Sequence, residues 1–268
     1  MTTTATPSPL AETFADLRRE GSGALITYFP IGIGVDAVEL AAVYDDSGVD
    51  VLEIGLPTRN PYLDGPTVAG VMATALDAGF TVEKCLNEIG RIRERFPRKP
   101  LEVFTYAEVV AEVGVDRFLR LCQDNGADSA LIGGAEPGWL KDAATDYPEG
   151  MDLLGLAPFD YTEEFGRSLA KAPLSGYVFL QATPGVTGER ESVEPALATR
   201  IAGLRRHLGE LPICTGFGIS NASHVRAMKQ AGADGVIIGS LALKWLRTGG
   251  LSEFAERVRT MKDALNGH

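Results

Sequence analysis

The scarcest commodity in this 268-residue chain is positive charge: 25 lysines and arginines face 36 aspartates and glutamates, a formal net charge of −11. A deficit of that size argues against nucleic acid and against an anionic membrane surface as partners. An anionic small molecule would have to be held by a local backbone site. Cysteine is scarce as well. Cys85, Cys122 and Cys214 lie far apart in apolar stretches with no paired spacing, so they read as buried free thiols of a reducing compartment, not as a disulfide framework or zinc site. No apolar run approaches the ~20 residues a membrane span needs. The N-terminal MTTTATPSP lacks a basic region followed by an apolar one. A soluble, cytoplasmic protein is expected. No GxGxxG follows the first predicted strand, which disfavours a dinucleotide fold.

What is present is a regular alternation. Short continuous apolar runs at 24–29, 51–54, 101–105, 129–132, 151–156, 177–182, 213–214 and 235–238 read as strands buried on both faces. Helical patterns lie between them, near 35–47, 67–78, 81–95, 115–124, 137–145, 162–171, 194–208, 221–231, 241–245 and 251–265. GVD at 48–50, GADS at 126–129 and GADG at 232–235 mark helix-to-strand turns. About eight strands alternating with helices over the whole length favour an α/β fold of the closed (β/α)8 TIM-barrel type over an open doubly wound sheet. Residues 1–8 read as a disordered tail and 9–268 as one barrel domain. Ser8 can cap an extra N-terminal helix with Leu10, Phe14 and Leu17 on one face.

The stretch DVLEIGLPTRNPYLDGPT, residues 50–67, organises the rest. A buried strand ends in a carboxylate, Glu53, and a loop stiffened by Gly55, Pro57, Pro61, Gly65 and Pro66 carries a second, Asp64. Such a segment is either an ordinary strand–loop–helix link or, at the C-terminal face of a barrel, a pair of acids in an active site. The last quarter adds glycine pairs after three consecutive predicted strands: Gly185-Val-Thr-Gly188, Gly216-Phe-Gly218 and Gly239-Ser240. Barrels of this kind bind phosphate there, on backbone N–H groups at a helix start.

These residues resemble the tryptophan synthase α-subunit family. The resemblance rests on LEIGLP (52–57), LDGPT (63–67), GVTG (185–188), GFGIS (216–220) and IIGSLALK (237–244), in the family's order along nearly the whole chain. It implies a carbon–carbon lyase that splits indole-3-glycerol phosphate, or a close analogue, into indole and glyceraldehyde 3-phosphate by carboxylate acid/base catalysis, in tryptophan or specialised indole metabolism. Glu53 matches the glutamate that handles the proton at indole C3, and Asp64 the aspartate at the ring N–H. Gly188, Gly218, Gly239 and Ser240 match the phosphate cradle. Tyr28, Phe104, Tyr106 and Phe179 fall where the family lines the indole pocket. The cleavage calls for no metal, no cofactor and no Schiff-base lysine. The family's partner is a pyridoxal-phosphate-dependent β-type subunit.

Four departures stand out. Asn60 replaces an acid usual after LEIGLP, and Gly133-Gly134-Ala135-Glu136-Pro137 replaces a loop that carries an aspartate. Both belong to the face that docks the β subunit. Phe179 stands where the family has a tyrosine, and Pro184 precedes GVTG. The competing readings are a non-catalytic or partner-activated α-type subunit, and a phosphosugar isomerase or aldolase built on the same cradle. Away from these motifs, His207, His224 and His268 read as solvated residues, and Trp139 and Trp245 as packing. Arg91, Arg93 and Arg95 read as exposed surface. Glu189-Arg190-Glu191 reads as a solvated face or a lid.

Overall fold

The computed structural model describes residues 7–143, 145 and 147–267; residues 1–6 of the expected tail and His268 lie outside them. The strands are β1 (Ala24–Pro30), β2 (Val51–Gly55), β3 (Leu101–Tyr106), β4 (Ser129–Gly133), β5 (Asp152–Leu153), β6 (Gly155–Ala157), β7 (Val178–Gln181), β8 (Ile213–Gly216) and β9 (Gly235–Ile238). Helices α1 (Pro9–Glu20), α2 (Ala37–Asp46), α3 (Pro66–Asp77), α4 (Val82–Arg95), α5 (Ala107–Val113) and α6 (Val115–Asp124) serve the first half. The second half has α7 (Pro137–Ala143), α8 (Glu163–Leu169), α9 (Leu197–Leu208), α10 (Ala222–Gln230) and α11 (Ser240–Asn266).

Every neighbouring strand pair is parallel, in the order β5-β4-β3-β2-β1-β9-β8-β7-β6. The two ends of that order are the halves of a single expected strand, 151–156. It breaks at Leu154: β5 stays with β4 and β6 joins β7, so one interrupted strand closes the ring. Two further differences from expectation concern helices. A short α5 follows β3 without a break: in AEVVAEV the two glutamates lie four apart and Val109 and Val110 are buried, a helical pattern, and Gly114 (φ 89°) ends it. The last two expected helices form one run, interrupted at Gly250 (φ 67°).

The strand pleat sorts side chains into two layers. Leu52, Ile54, Leu101, Val103, Ala130, Ile132, Val178 and Leu180 face the helices. Ile26, Tyr28, Val51, Phe104, Tyr106, Leu131, Tyr177, Phe179 and Ile237 point into the barrel. Leu10, Phe14 and Leu17 of α1 join this inner layer, with the Phe14 and Tyr177 ring centroids 5.8 Å apart. The helix thus plugs the end of the barrel opposite the site. Its start is set as expected: the Ser8 hydroxyl accepts from the Ala11 N–H, and Gly21 (φ 68°) closes it.

Arg93 corrects a sequence expectation. Its guanidinium donates to the carbonyl oxygens of Gly126 (2.9 Å), Lys99 (2.9 Å), Pro97 (3.0 Å) and Phe96 (3.2 Å), and pairs with Asp128 at 2.6 Å. Residues two apart on a helix point to different faces, so Arg93 turns inward while Arg91 pairs with Asp36 and Glu88 at the surface. The cysteines are buried and free; burial pushes the Cys85 thiol up to about 12.

Candidate active site

At the C-terminal ends of the strands the barrel opens into a concave pocket of the kind that takes small organic ligands. Its wall is mostly apolar: Tyr28, Leu63, Val68, Phe104, Leu156, Phe179, Phe217 and Ile237. Phe217 is the only non-glycine residue with positive φ (74°) among the described residues. Strain of this kind persists where surrounding packing enforces it. Here Gly216 sits so tightly that an added Cβ would stand 2.9 Å from the Ile237 carbonyl oxygen and 3.0 Å from the Phe179 ring. The turn sets Phe217 edge-on to Phe179, centroids 5.6 Å apart.

Two carboxyls face this cavity. Glu53, on β2 beside Tyr28 of β1, is 5% exposed. Its carboxyl has no side-chain hydrogen-bond partner among the described residues. Burial raises its pKa well above the usual carboxylate range, and the nearby charges of Glu102 and Asp64 push the same way. Asp64 is held differently. Tyr106 donates to one oxygen at 2.6 Å and Thr187 to the other at 3.3 Å. Burial pushes Asp64 up to about 6, against the opposing pull of those two hydroxyls. Glu53 therefore holds its proton more firmly than Asp64, which at about 6 is ionised near neutrality. Two acids with their pKa values driven apart are how one site holds both a proton donor and a fixed negative charge.

Thr187 also fixes the loop bearing Asp64. Its hydroxyl accepts from the Gly65 N–H at 2.7 Å, and its N–H donates to the Leu63 carbonyl at 3.1 Å. Gly65 is required by this closeness, since a Cβ there would lie 2.2 Å from the Thr187 carbonyl oxygen.

The far end of the cavity is backbone. Gly239 leads into α11 with no side-chain cap, so the first N–H groups of that helix have no intrahelical acceptor. Gly239, Ser240 and Leu241 line the cavity, together with Gly188 and Gly218. The Gly218 N–H is already engaged, donating to the Gly188 carbonyl at 2.9 Å, while the Arg190 N–H donates to the Gly218 carbonyl at 3.2 Å. An anion reaching the Gly218 N–H must displace the Gly188 carbonyl. The helix start needs no such change.

Comparison with known proteins settles the family. Residues 14–266 match the sequence profile described as tryptophan synthase alpha chain. The chain is 34% identical over 266 residues to the tryptophan synthase alpha chain of Picosynechococcus sp., covering 96% of this chain and 98% of that one. It is 35% identical over 235 residues to that of Edwardsiella ictaluri, covering 85% of each. The chain belongs to the tryptophan synthase alpha chain family. Among solved structures, a Mycobacterium tuberculosis tryptophan synthase chain superposes with a TM-score of 0.86 at 27% identity, covering 97% of this chain and 99% of that one. The likeness extends through the whole (β/α)8 barrel.

On this family's barrel the expected site residues gather at one end. Glu53, Asp64, Tyr28, Phe104, Phe179, Gly188, Gly218, Gly239 and Ser240 all border the cavity. Tyr106 is placed otherwise: fully buried behind the wall, it meets the site through Asp64. His224 is a correction. It is 6% exposed, with Nδ1 3.2 Å from the Gly218 carbonyl and Nε2 3.2 Å from the Glu191 carbonyl. A histidine three residues after the helix cap Asn221 faces back toward the preceding loop, which polarity alone did not disclose. His207 is mostly covered and bonds Glu163 at 2.8 Å. Trp245 is buried and Trp139 packs on the core. In the charged run, Glu189 pairs with Lys244 at 2.7 Å, so the segment is tied to α11.

Thr187 and Glu102 were missed. No local pattern exposes Thr187, whose partners lie over a hundred residues away. Glu102 was findable: in LEVFTY it shares the parity of Phe104 and Tyr106, so it must face the barrel interior with them.

Proposed function

We propose that the chain cleaves indole-3-glycerol phosphate to indole and glyceraldehyde 3-phosphate, with Glu53 as acid and base and Asp64 as the counter-charge. The observation that carries this reading is the pairing of a buried, unpartnered Glu53 with a tethered Asp64 in one apolar cavity. The indole ring lies between the aromatic walls and the phosphate sits at the start of α11. Protonated Glu53 gives its proton to indole C3. Positive charge then develops at the ring nitrogen, where ionised Asp64 stabilises it. Glu53, now a carboxylate, takes the proton of the hydroxyl on the carbon bonded to C3. As that carbon becomes an aldehyde, the C–C bond electrons return to the ring and indole leaves. Glu53 ends the cycle protonated, so protons balance.

A non-catalytic subunit has little use for an unpartnered acid in an apolar cavity, because burying one is costly. Partnership with a pyridoxal-phosphate-dependent β-type subunit is the family's implication. In this chain Thr58 and Asn60, on the loop of the expected docking face, both donate to Glu108, at 2.8 and 3.3 Å. The loop is held within its own chain, which favours turnover without that subunit. A single domain over 9–268 and a cytoplasmic location accord with the reading; among the described residues no helix is long and apolar enough to cross a membrane.

The test is a spectrophotometric assay of the purified chain with indole-3-glycerol phosphate, with and without an added β subunit. Release of indole and glyceraldehyde 3-phosphate by the chain alone is the expected result. No release under either condition overturns the reading.

A further inference from the structure

Beneath the cavity lies a carboxyl that the cleavage chemistry does not use. Glu102 sits on β3 directly beside Glu53 in the parallel register. Aligned residues of neighbouring strands project to the same face, so both side chains enter the barrel. Glu102 is wholly inaccessible and does not border the cavity, whereas Glu53 does. On its other side Glu102 aligns with Ser129 of β4, whose buried hydroxyl has no hydrogen-bond partner among the described residues. From across the barrel, just ahead of β7, the Tyr177 hydroxyl reaches both Glu102 oxygens, at 2.9 and 2.7 Å. One carboxyl of the pair is thus bonded by a phenol and the other is bare.

We propose that Glu102, anchored by Tyr177, is a positioning residue that keeps the proton on Glu53, a role that rests on the lyase reading of the site. A hydroxyl donated to both oxygens favours the ionised form of Glu102. Two adjoining carboxyls in an apolar interior do not both ionise readily, so as pH rises the one with a donor gives up its proton first and the partner without one keeps its own longer. That partner is Glu53, the one that reaches the substrate. The groups facing the pair are Tyr28 on β1, Asp64 on the loop after β2, Tyr177 and Cys214. None of them is a cation, and among the described residues no lysine, arginine or histidine acts on either carboxyl. Burial raises both acids, Glu102 to about 8 against the lowering pull of the Tyr177 bond, and Glu53 well above the usual carboxylate range with no such bond. Glu102 does not touch substrate. It acts by making a strand-end glutamate a competent donor at a pH where an ordinary carboxyl has lost its proton.

The variants are Glu102→Gln and Tyr177→Phe, both monitored by circular dichroism for an intact fold. The first readout is the pH profile of kcat with indole-3-glycerol phosphate. Its alkaline limb, where Glu53 loses its proton, moves to lower pH by about one unit or more in Glu102→Gln and by less in Tyr177→Phe. A merely structural role lowers activity without moving the limb. The second readout needs no turnover. Infrared difference spectra across a pH titration follow the protonated-carboxyl band that disappears in Glu53→Gln; in Glu102→Gln that band is lost at lower pH than in the parent. If wild type shows no cleavage, the infrared titration still decides the carboxyl pair. An unmoved Glu53 band in folded Glu102→Gln overturns the proposal, and if that variant does not fold, an unmoved band in Tyr177→Phe does so.

Discussion

Tyr106 donates its hydroxyl to Asp64 at 2.6 Å from a ring wholly buried behind the cavity wall. The bond opposes the burial that pushes Asp64 up to about 6. Because the ionised form of Asp64 is the useful one, cleavage falls as pH drops through that value. Tyr106→Phe removes the opposing bond and raises Asp64 further, so the acid limb of the pH–kcat profile moves to higher pH, by about half to one unit. A limb that stays in place dissociates it from Asp64.

Gly65 and Thr187 touch through their backbones. In Gly65→Ala the new Cβ would lie 2.2 Å from the Thr187 carbonyl oxygen, so the two loops must separate and Asp64 loses its Thr187 donor. The expected outcome is a fall in kcat/KM of about a hundredfold, with the far-UV spectrum unchanged, as displacement of a catalytic group by about 1 Å produces. Steady-state kinetics on the folded variant provides the check.

His224 joins the turn after β8 to the charged segment through the Gly218 and Glu191 carbonyls. In His224→Ala that tie is cut on the phosphate side of the cavity. KM for the phosphorylated substrate rises by about three- to tenfold while kcat changes little, since binding is weakened and the acids stay in place. A selective fall in kcat would place His224 nearer the chemistry than its contacts do.

Arg93 secures the α4–β3 and α6–β4 connections from one guanidinium and lies far from the cavity lining. Arg93→Ala leaves Asp128 with the Leu101 N–H but no cation, and removes a donor from several carbonyls. The loss is about 2–3 kcal/mol of stability, read as a lower urea midpoint at unchanged slope. Turnover per folded molecule stays at the parent level.

The sequence discloses this architecture where one short-range rule governs. Continuous apolar strands, αβ turns at Gly48, Gly126 and Gly232 with positive φ, and the Ser8 cap all follow from the chain's local pattern. It conceals what is decided by neighbours distant in sequence. The break at Leu154 comes from a strand changing partners during ring closure. Helix α5 is hard to see because its seven residues abut β3 with no turn residue between them. Within the site, Glu53 and Asp64 were legible from the segment that carries them, and the glycines from their place at strand ends. The resemblance puts Tyr106 on the wall, and its strand parity does face it inward, but neither gives the depth at which the ring lies. Arg93 and His224 passed for surface because polar residues usually are; their burial depends on carbonyls brought in by other turns.

The most direct measurement is Glu53→Gln with indole-3-glycerol phosphate, comparing turnover and binding in the same folded preparation. The amide keeps the shape of the side chain and cannot deliver and recover the proton. The account predicts a fall in kcat of about a thousandfold or more, with substrate affinity retained through the aromatic walls and the start of α11. Turnover near the wild-type level in that variant would contradict the assignment of Glu53, and with it the mechanism.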